Sequence, residues 1–373
     1  MNILVMSWRD PKHPLAGGAE QVDHEHHKGW IAAGNKVTLF SSSFTNAKKI
    51  EEIDGVKIIR KGNQILGVQL QALFWYLFER KEKFDLVVDE FHGIPFFTPL
   101  YIWGPKMAVL QEVARDVWLK NDLHYPLNVI VGNIGYYFEP LVYLLYRQII
   151  FMVGSQSAKK ELHEMKISNE NIKVVPHGVI LDLPKNKLEK EKIKTVIFLG
   201  ALAKDKGIED AIKTFAILNK KSDYQFWIVG KGGEDYLSYL KGLCKKLAIE
   251  NKVIFWGFVS QKKKFELLTR AHIMLNPSLL EGFGLVNIEA NACATPVVAY
   301  NCPGLVDSVE NNQSGKIIEK NIPAEMAKEI DGILKNKNEY KKLQNGALEW
   351  SQRFSWEASR KLSLDLVESL GIK

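Results

Sequence analysis

Short apolar runs rich in Ile, Val, Leu and Phe recur along the chain and alternate with amphipathic or polar stretches. In the first half they are Ile3–Met6, Lys36–Phe40, Val56–Arg60, Phe84–Val88, Met107–Leu110, Ile149–Val153 and Ile172–Val175, with helical spacing at Ala19–Ala33 and Gln69–Lys83. In the second half they are Thr195–Leu199, Gln225–Val229, Val253–Phe255, Ile273–Asn276, Pro296–Ala299 and Lys316–Ile318, with helices beginning near Gly207, Glu234, Gln261, Gly284, Leu305 and Pro323. Strands apolar on both faces and separated by helices belong to parallel sheets that helices cover on each side. The pattern predicts an α/β protein built from two doubly wound, Rossmann-like domains. The most polar run, residues 184–194, reads as the linker between a first domain, 1–183, and a second, 195–350; residues 351–373 read as a C-terminal helix.

At 373 residues the chain is comfortable for two domains, each with its own core, and 46% apolar with 25% charged residues is ordinary globular composition. A net charge of +7 suits phosphorylated substrates or an anionic membrane face, but the lysines are scattered and form no nucleic-acid patch. Cys244, Cys293 and Cys302 show no paired spacing, which points to reduced thiols and a cytoplasmic setting. Met1-Asn2 leads straight into a strand without a basic n-region, so no secretory leader is expected. The aromatic-rich stretch Tyr125–Val153 is interrupted by Gly132, Asn133, Glu139, Pro140 and Arg147 and cannot span a bilayer. A buried helix Glu139–Arg147 is the first reading of it; an aromatic surface touching lipid headgroups is the second.

The chemistry concentrates in Pro277–Ala290, Pro-Ser-Leu-Leu-Glu-Gly-Phe-Gly-Leu-Val-Asn-Ile-Glu-Ala. A strand ends at Asn276 and helical spacing of Leu285, Ile288 and Ala292 starts after Gly284, so Glu281 lies at the turn and Glu289 inside the helix. Backbone N–H groups from Phe283 to Val286, backed by the helix dipole, suit a phosphate or a sugar edge, and the two carboxylates suit sugar hydroxyls. The passage resembles the paired-glutamate motif of family 4 glycosyltransferases, retaining enzymes that use nucleotide sugars, and Thr295–Ala299 fits their next strand.

That resemblance covers most of the chain and implies the GT-B fold, in which the two domains face each other across a cleft. It makes Gly17 and Gly18 the glycine-rich loop over donor and acceptor, and Gly200–Gly207 the donor pyrophosphate loop. Lys206 matches the family lysine; the usual arginine is Ala201, with Lys204 nearby as a substitute cation. Gly230 and Phe258 lie in loops similar to those around the nucleotide, with Phe258 against the base. Gln111 replaces a family histidine near the donor sugar, and glutamine cannot be protonated. His177 occupies the family position entering the cleft, Arg115 follows Gln111 on the same loop, and His92 either faces the cleft or shapes the turn before Pro95. The resemblance assigns the donor sugar to Glu281 with the amides of Phe283, Gly284 and Leu285, the ribose to Glu289 and pyrophosphate to Lys206. It makes Glu281, Lys206 and Gln111 the residues closest to the chemistry.

Asp23-His24-Glu25-His26-His27 resembles a metal clip, but the apolar face of its helix already runs through Ala19, Val22, His26, Trp30 and Ala33. A solvated polar face is the expectation, and with no Asp-x-Asp in the chain neither metal nor other cofactor is expected. The partners implied are a nucleoside-diphosphate sugar and a sugar or lipid-linked acceptor, with peripheral membrane contact in the lipid case. Two other classes share these features: a nucleotide-sugar-binding regulator or subunit with weakened turnover, suggested by Ala201 and Gln111, and another double-Rossmann enzyme such as an epimerase. A dehydrogenase is disfavoured because no Gly-x-Gly-x-x-Gly follows the first strand.

Overall fold

All the apolar runs read as strands form strands, and they assemble into two sheets. The computed structural model describes residues 1–64, 67–91, 93–119, 124–186, 188–279 and 281–371. The chain divides into two compact units, Met1–Gly178 with Trp356–Lys373, and Val179–Ser355.

The first unit holds β1 (Asn2–Met6), β2 (Lys36–Ser41), β3 (Ile50–Ile53), β4 (Val56–Arg60), β5 (Leu86–Phe91), β6 (Lys106–Leu110), β7 (Ile150–Val153) and β8 (Ile172–Val174). Their order is β3-β4-β2-β1-β5-β6-β7-β8, parallel throughout except for the antiparallel pair β3 and β4. Strand β3 was not anticipated. It is half exposed and carries Glu51 and Glu52, so it lacks the apolar signature of the buried strands; its only signal was the Asp54-Gly55 turn, both residues at positive φ. The second unit holds β9 (Lys194–Leu199), β10 (Tyr224–Val229), β11 (Val253–Gly257), β12 (Ile273–Asn276), β13 (Val297–Ala299) and β14 (Gly315–Ile317) in the all-parallel order β11-β10-β9-β12-β13-β14.

Three expectations need correction. The run 184–194 is not a free linker, because its C-terminal part is pinned to the second unit. Lys190 Nζ donates to the Ala271 carbonyl (2.6 Å) and to Thr295 Oγ1 (2.7 Å), and Glu191 pairs with Arg270 at 2.5 Å. Burial pushes the Lys190 ammonium down to about 7.

The polar run Asp23–His27 is not a solvated face: all five residues are buried. The last helix, Trp356–Gly371, covers Glu25 and His26 of the run and Trp30 beyond it, while His24 pairs with Asp54 at 2.9 Å. Trp30 Nε1 donates to Ser363 Oγ at 2.9 Å, His26 Nε2 lies 3.0 Å from Ser359 Oγ, and Arg360 pairs with Glu25. On the same helix, His27 Nε2 is 2.9 Å from Glu90 Oε1, and burial pushes the imidazole down to about 4, so it is neutral at pH 7.

The aromatic stretch forms one helix, Leu127–Leu145, much longer than the buried helix expected at Glu139–Arg147. Only Gly132, Glu139 and Tyr143 of it are buried, while Tyr137 is 69% and Phe138 60% exposed. No helix among the described residues is long and apolar enough to cross a membrane.

Candidate active site

In a parallel sheet the loops that bind ligand leave the carboxyl ends of the strands, at the point where strand order reverses. In the second sheet that point lies between β9 and β12. The loop after β9, residues 200–207, and the loop after β12, from 277 onward, are stitched there. The Asp205 carbonyl accepts from Leu279 N (2.8 Å) and from Ser278 Oγ (3.3 Å). Gly207 ends the first loop at φ 69°, and a Cβ on it would lie 2.0 Å from the Pro277 carbonyl oxygen, so only glycine fits. Gly200 N donates to the Val229 carbonyl (3.0 Å), Leu202 N to that of Lys231 (2.9 Å) and Gly230 N to that of Gly257 (2.9 Å). These bonds fix the neighbouring loops edge to edge.

Two carboxylates and two lysines stand on this frame. Lys206 Nζ is 3.0 Å from Glu281 Oε2, both side chains partly exposed. Gly284, at φ 83°, caps the helix Leu285–Ala292, which carries Glu289 inward. Glu289 Oε1 accepts from Lys264 Nζ at 2.5 Å, while Oε2 is buried with no hydrogen-bond partner among the described residues. Burial pushes the Glu289 carboxyl up and the Lys264 ammonium opposes the shift. A buried acceptor with unused capacity calls for a hydrogen-bond donor. Neither pairing was foreseen, and Lys264 gave no signal within the run Lys262–Lys264, which reads as a charged helix face.

Phe283 is not a site side chain: it packs at 5% exposure in a small core with Val179, Ile288 and Phe354, so only its main chain is placed to act. Leu285 is partly buried and packs against that core. Phe258 is 80% exposed, with Lys231 Nζ 5.6 Å from its ring centroid, a flat platform beside the loops. Lys204 is exposed.

In the first unit the corresponding point lies between β1 and β5. The loop after β1 is anchored by a buried ion pair that sequence reasoning missed: Arg60 donates to Asp10 through Nε (2.6 Å) and Nη2 (2.8 Å). Gly17 N donates to Glu20 Oε2 (2.7 Å), so Glu20 caps the helix Gly18–Ala32 that it belongs to. A Cβ on Gly18 would meet nothing within 4 Å, which leaves the loop face open. Gln111, just past β6, donates through Nε2 to Asp23 Oδ1 at 3.0 Å. Arg115 stacks over Tyr136, 5.2 Å from the ring centroid. His177 is buried: a Cβ on Gly154 would lie 2.0 Å from its Nε2, and burial pushes the imidazole down to about 4. His92 lies outside the described residues.

Paired glutamates beside a glycine-stitched loop, on a doubly wound unit that follows another of the same class, define a glycosyltransferase of GT-B fold. Residues 180–350 match the family model described as glycosyl transferases group 1. An uncharacterized glycosyltransferase of Methanocaldococcus jannaschii is 29% identical over 99% of this chain and 98% of its own length. Among solved structures, sucrose-phosphate synthase from Thermosynechococcus elongatus superposes with a TM-score of 0.80 at 19% identity, covering 99% of this chain and 98% of its own. Anabaena HepE in complex with UDP-glucose superposes at 0.71 with 18% identity, covering 99% and 100%.

Lys206 is the lysine of the loop 200–207 that pairs with Glu281. Lys206→Ala should weaken nucleoside diphosphate binding by about 1.5–3 kcal/mol, the usual cost of one charge-assisted hydrogen bond. Titration calorimetry with UDP and GDP reads this directly, and unchanged affinity for both would remove Lys206 from the site.

Proposed function

We propose that the protein is a retaining, metal-independent hexosyltransferase that moves a sugar from a nucleoside-diphosphate donor to a hydroxyl acceptor in glycan or glycolipid synthesis. The observation that carries the donor reading is Glu289, whose buried Oε2 has no hydrogen-bond partner among the described residues, on the helix that follows the turn where Glu281 meets Lys206. UDP-glucose in the complex of HepE, a structural neighbour, supports the same donor class. In this reading Glu289 accepts from the ribose hydroxyls and Glu281, with amides near Phe283–Leu285, holds the sugar. Lys206 turns from Glu281 toward the pyrophosphate. The bond between the anomeric carbon and the β-phosphate oxygen breaks as the acceptor oxygen bonds to that carbon on the same face. The acceptor proton passes to the departing phosphate oxygen, so no protein nucleophile is needed. Preorganised cations and amides stabilise the leaving charge.

The two glutamates separate by calorimetry. Glu289→Gln should raise the dissociation constant of every nucleotide, with or without a sugar, whereas Glu281→Gln should weaken UDP-glucose more than UDP. Equal weakening of the bare diphosphate by both substitutions would overturn the division of roles.

What supports a lipid-linked acceptor is the helix Leu127–Leu145. Ile130 (50%), Ile134 (55%), Tyr137, Phe138 and Leu141 (54%) are exposed along it, with Arg115 stacked at its side. Such a surface on a protein of net charge +7 fits the headgroup region of an anionic bilayer, reached peripherally from the cytoplasmic side. The protein should co-sediment with anionic vesicles at low salt, detach as salt rises, and bind less after Phe138→Asp. Failure to bind anionic vesicles at low salt would favour a soluble acceptor.

A further inference from the structure

The loop after β6 is held by carboxylates from three separate helices. Asp23, on Gly18–Ala32, takes the Gln111 side chain; Glu161, on Gln156–Glu164, accepts from Val113 N at 3.1 Å. Glu139, on Leu127–Leu145, takes two donors: Ala114 N to Oε1 at 3.0 Å and Trp118 Nε1 to Oε2 at 3.2 Å. The same helix meets the loop again where a Cβ on Gly135 would lie 2.2 Å from the Trp118 ring. Glu139 is 5% exposed, yet its neighbours Phe138 and Leu141 face outward. An ionisable residue on an otherwise apolar helix costs desolvation, and the sequence keeps it where it grips the loop that carries Gln111.

We propose that Glu139 is a positioning residue of the transfer reaction, its carboxylate fixing the Gln111–Trp118 loop to the exposed apolar helix. The inference rests on the reading of Gln111 as a residue of the transfer site. Holding both donors requires the ionised form. A protonated carboxyl keeps one acceptor oxygen and turns an O–H toward the other N–H donor. Burial pushes the Glu139 carboxyl up to about 7, opposed by the hydrogen bonds from Ala114 and Trp118, by Tyr143 and by Arg115. The other charged groups at this loop are Asp23 and Glu161 from the neighbouring helices and Glu112 and Arg115 on the loop itself. Because the pKa of the folded protein lies above the ordinary carboxylate value, protonation favours the fold. That stability is lost as pH rises toward 7, while the two-point grip on the loop is gained over the upper part of the same range.

Hydrogen exchange and turnover test this together, on the full chain. In the wild type, the protection factor of amides in 111–119 should rise several-fold between about pH 6 and pH 8, and in Glu139→Gln it should stay flat and low, since glutamine can serve only one of the two donors. UDP release from UDP-glucose should show the same limb near neutrality in the wild type. In Glu139→Gln that limb should vanish and turnover fall about tenfold, with UDP affinity unchanged. PH-independent protection in the wild type overturns the proposal even if the variant does not fold, and so does a variant whose protection and pH profile match the wild type. If no nucleotide sugar is turned over, the donor reading fails, and the exchange arm still decides the role of Glu139.

Discussion

At the switch point of the second sheet the chain packs main chain against main chain: a Cβ on Gly207 would lie 2.0 Å from the Pro277 carbonyl oxygen, and one on Gly304 2.2 Å from that of Glu281. With no side chain between them, the loops after β9 and β12 and the turn before the helix Leu305–Ser308 hold a spacing that rotamers cannot change. That spacing puts Lys206 within 3.0 Å of Glu281 and sets the entry of the helix that buries Glu289. A ligand that bridged the two loops would meet a backbone frame already in place, with the Lys206 side chain left to turn from Glu281.

The first unit solves a different problem. Its loop after β1 is tied by the buried Asp10–Arg60 pair and its loop after β6 by Asp23, Glu139 and Glu161. These are carboxylate clamps on loops that bear few glycines. Buried charges of this kind add little net stability but strongly penalise alternative arrangements. The returning C-terminal helix completes the unit by covering His26 and Trp30, and it supplies the hydroxyls of Ser359 and Ser363 as their partners.

How much of this was legible follows from how local each signal is. Strands buried on both faces announce themselves as apolar runs, so thirteen of the fourteen strands among the described residues were read; β3, half exposed, was not. The turn bearing Glu281 and the helix bearing Glu289 were readable because strand, glycine and helix start lie within a few residues. The burial of Asp23–His27 was not, because it is covered by partners distant in sequence: Asp54 for His24, Glu90 for His27, Gln111 for Asp23, and for His26 a serine 333 residues away. The exposed face of Leu127–Leu145 misled for the opposite reason: apolar residues imply a core unless something apolar outside the chain is there to receive them. The partners of Glu281 and Glu289 were missed because lysines on a polar helix face and in a turn look like any solvated charge.

The central claim, that the loops at 200–207 and 281–289 hold a nucleoside-diphosphate sugar, is tested most directly by hydrogen exchange of the full chain with and without saturating UDP-glucose. Binding should slow exchange in both loops together and stabilise the second unit by mass action. Protection confined to other segments, or none with any uridine or guanosine diphosphate sugar, would contradict it.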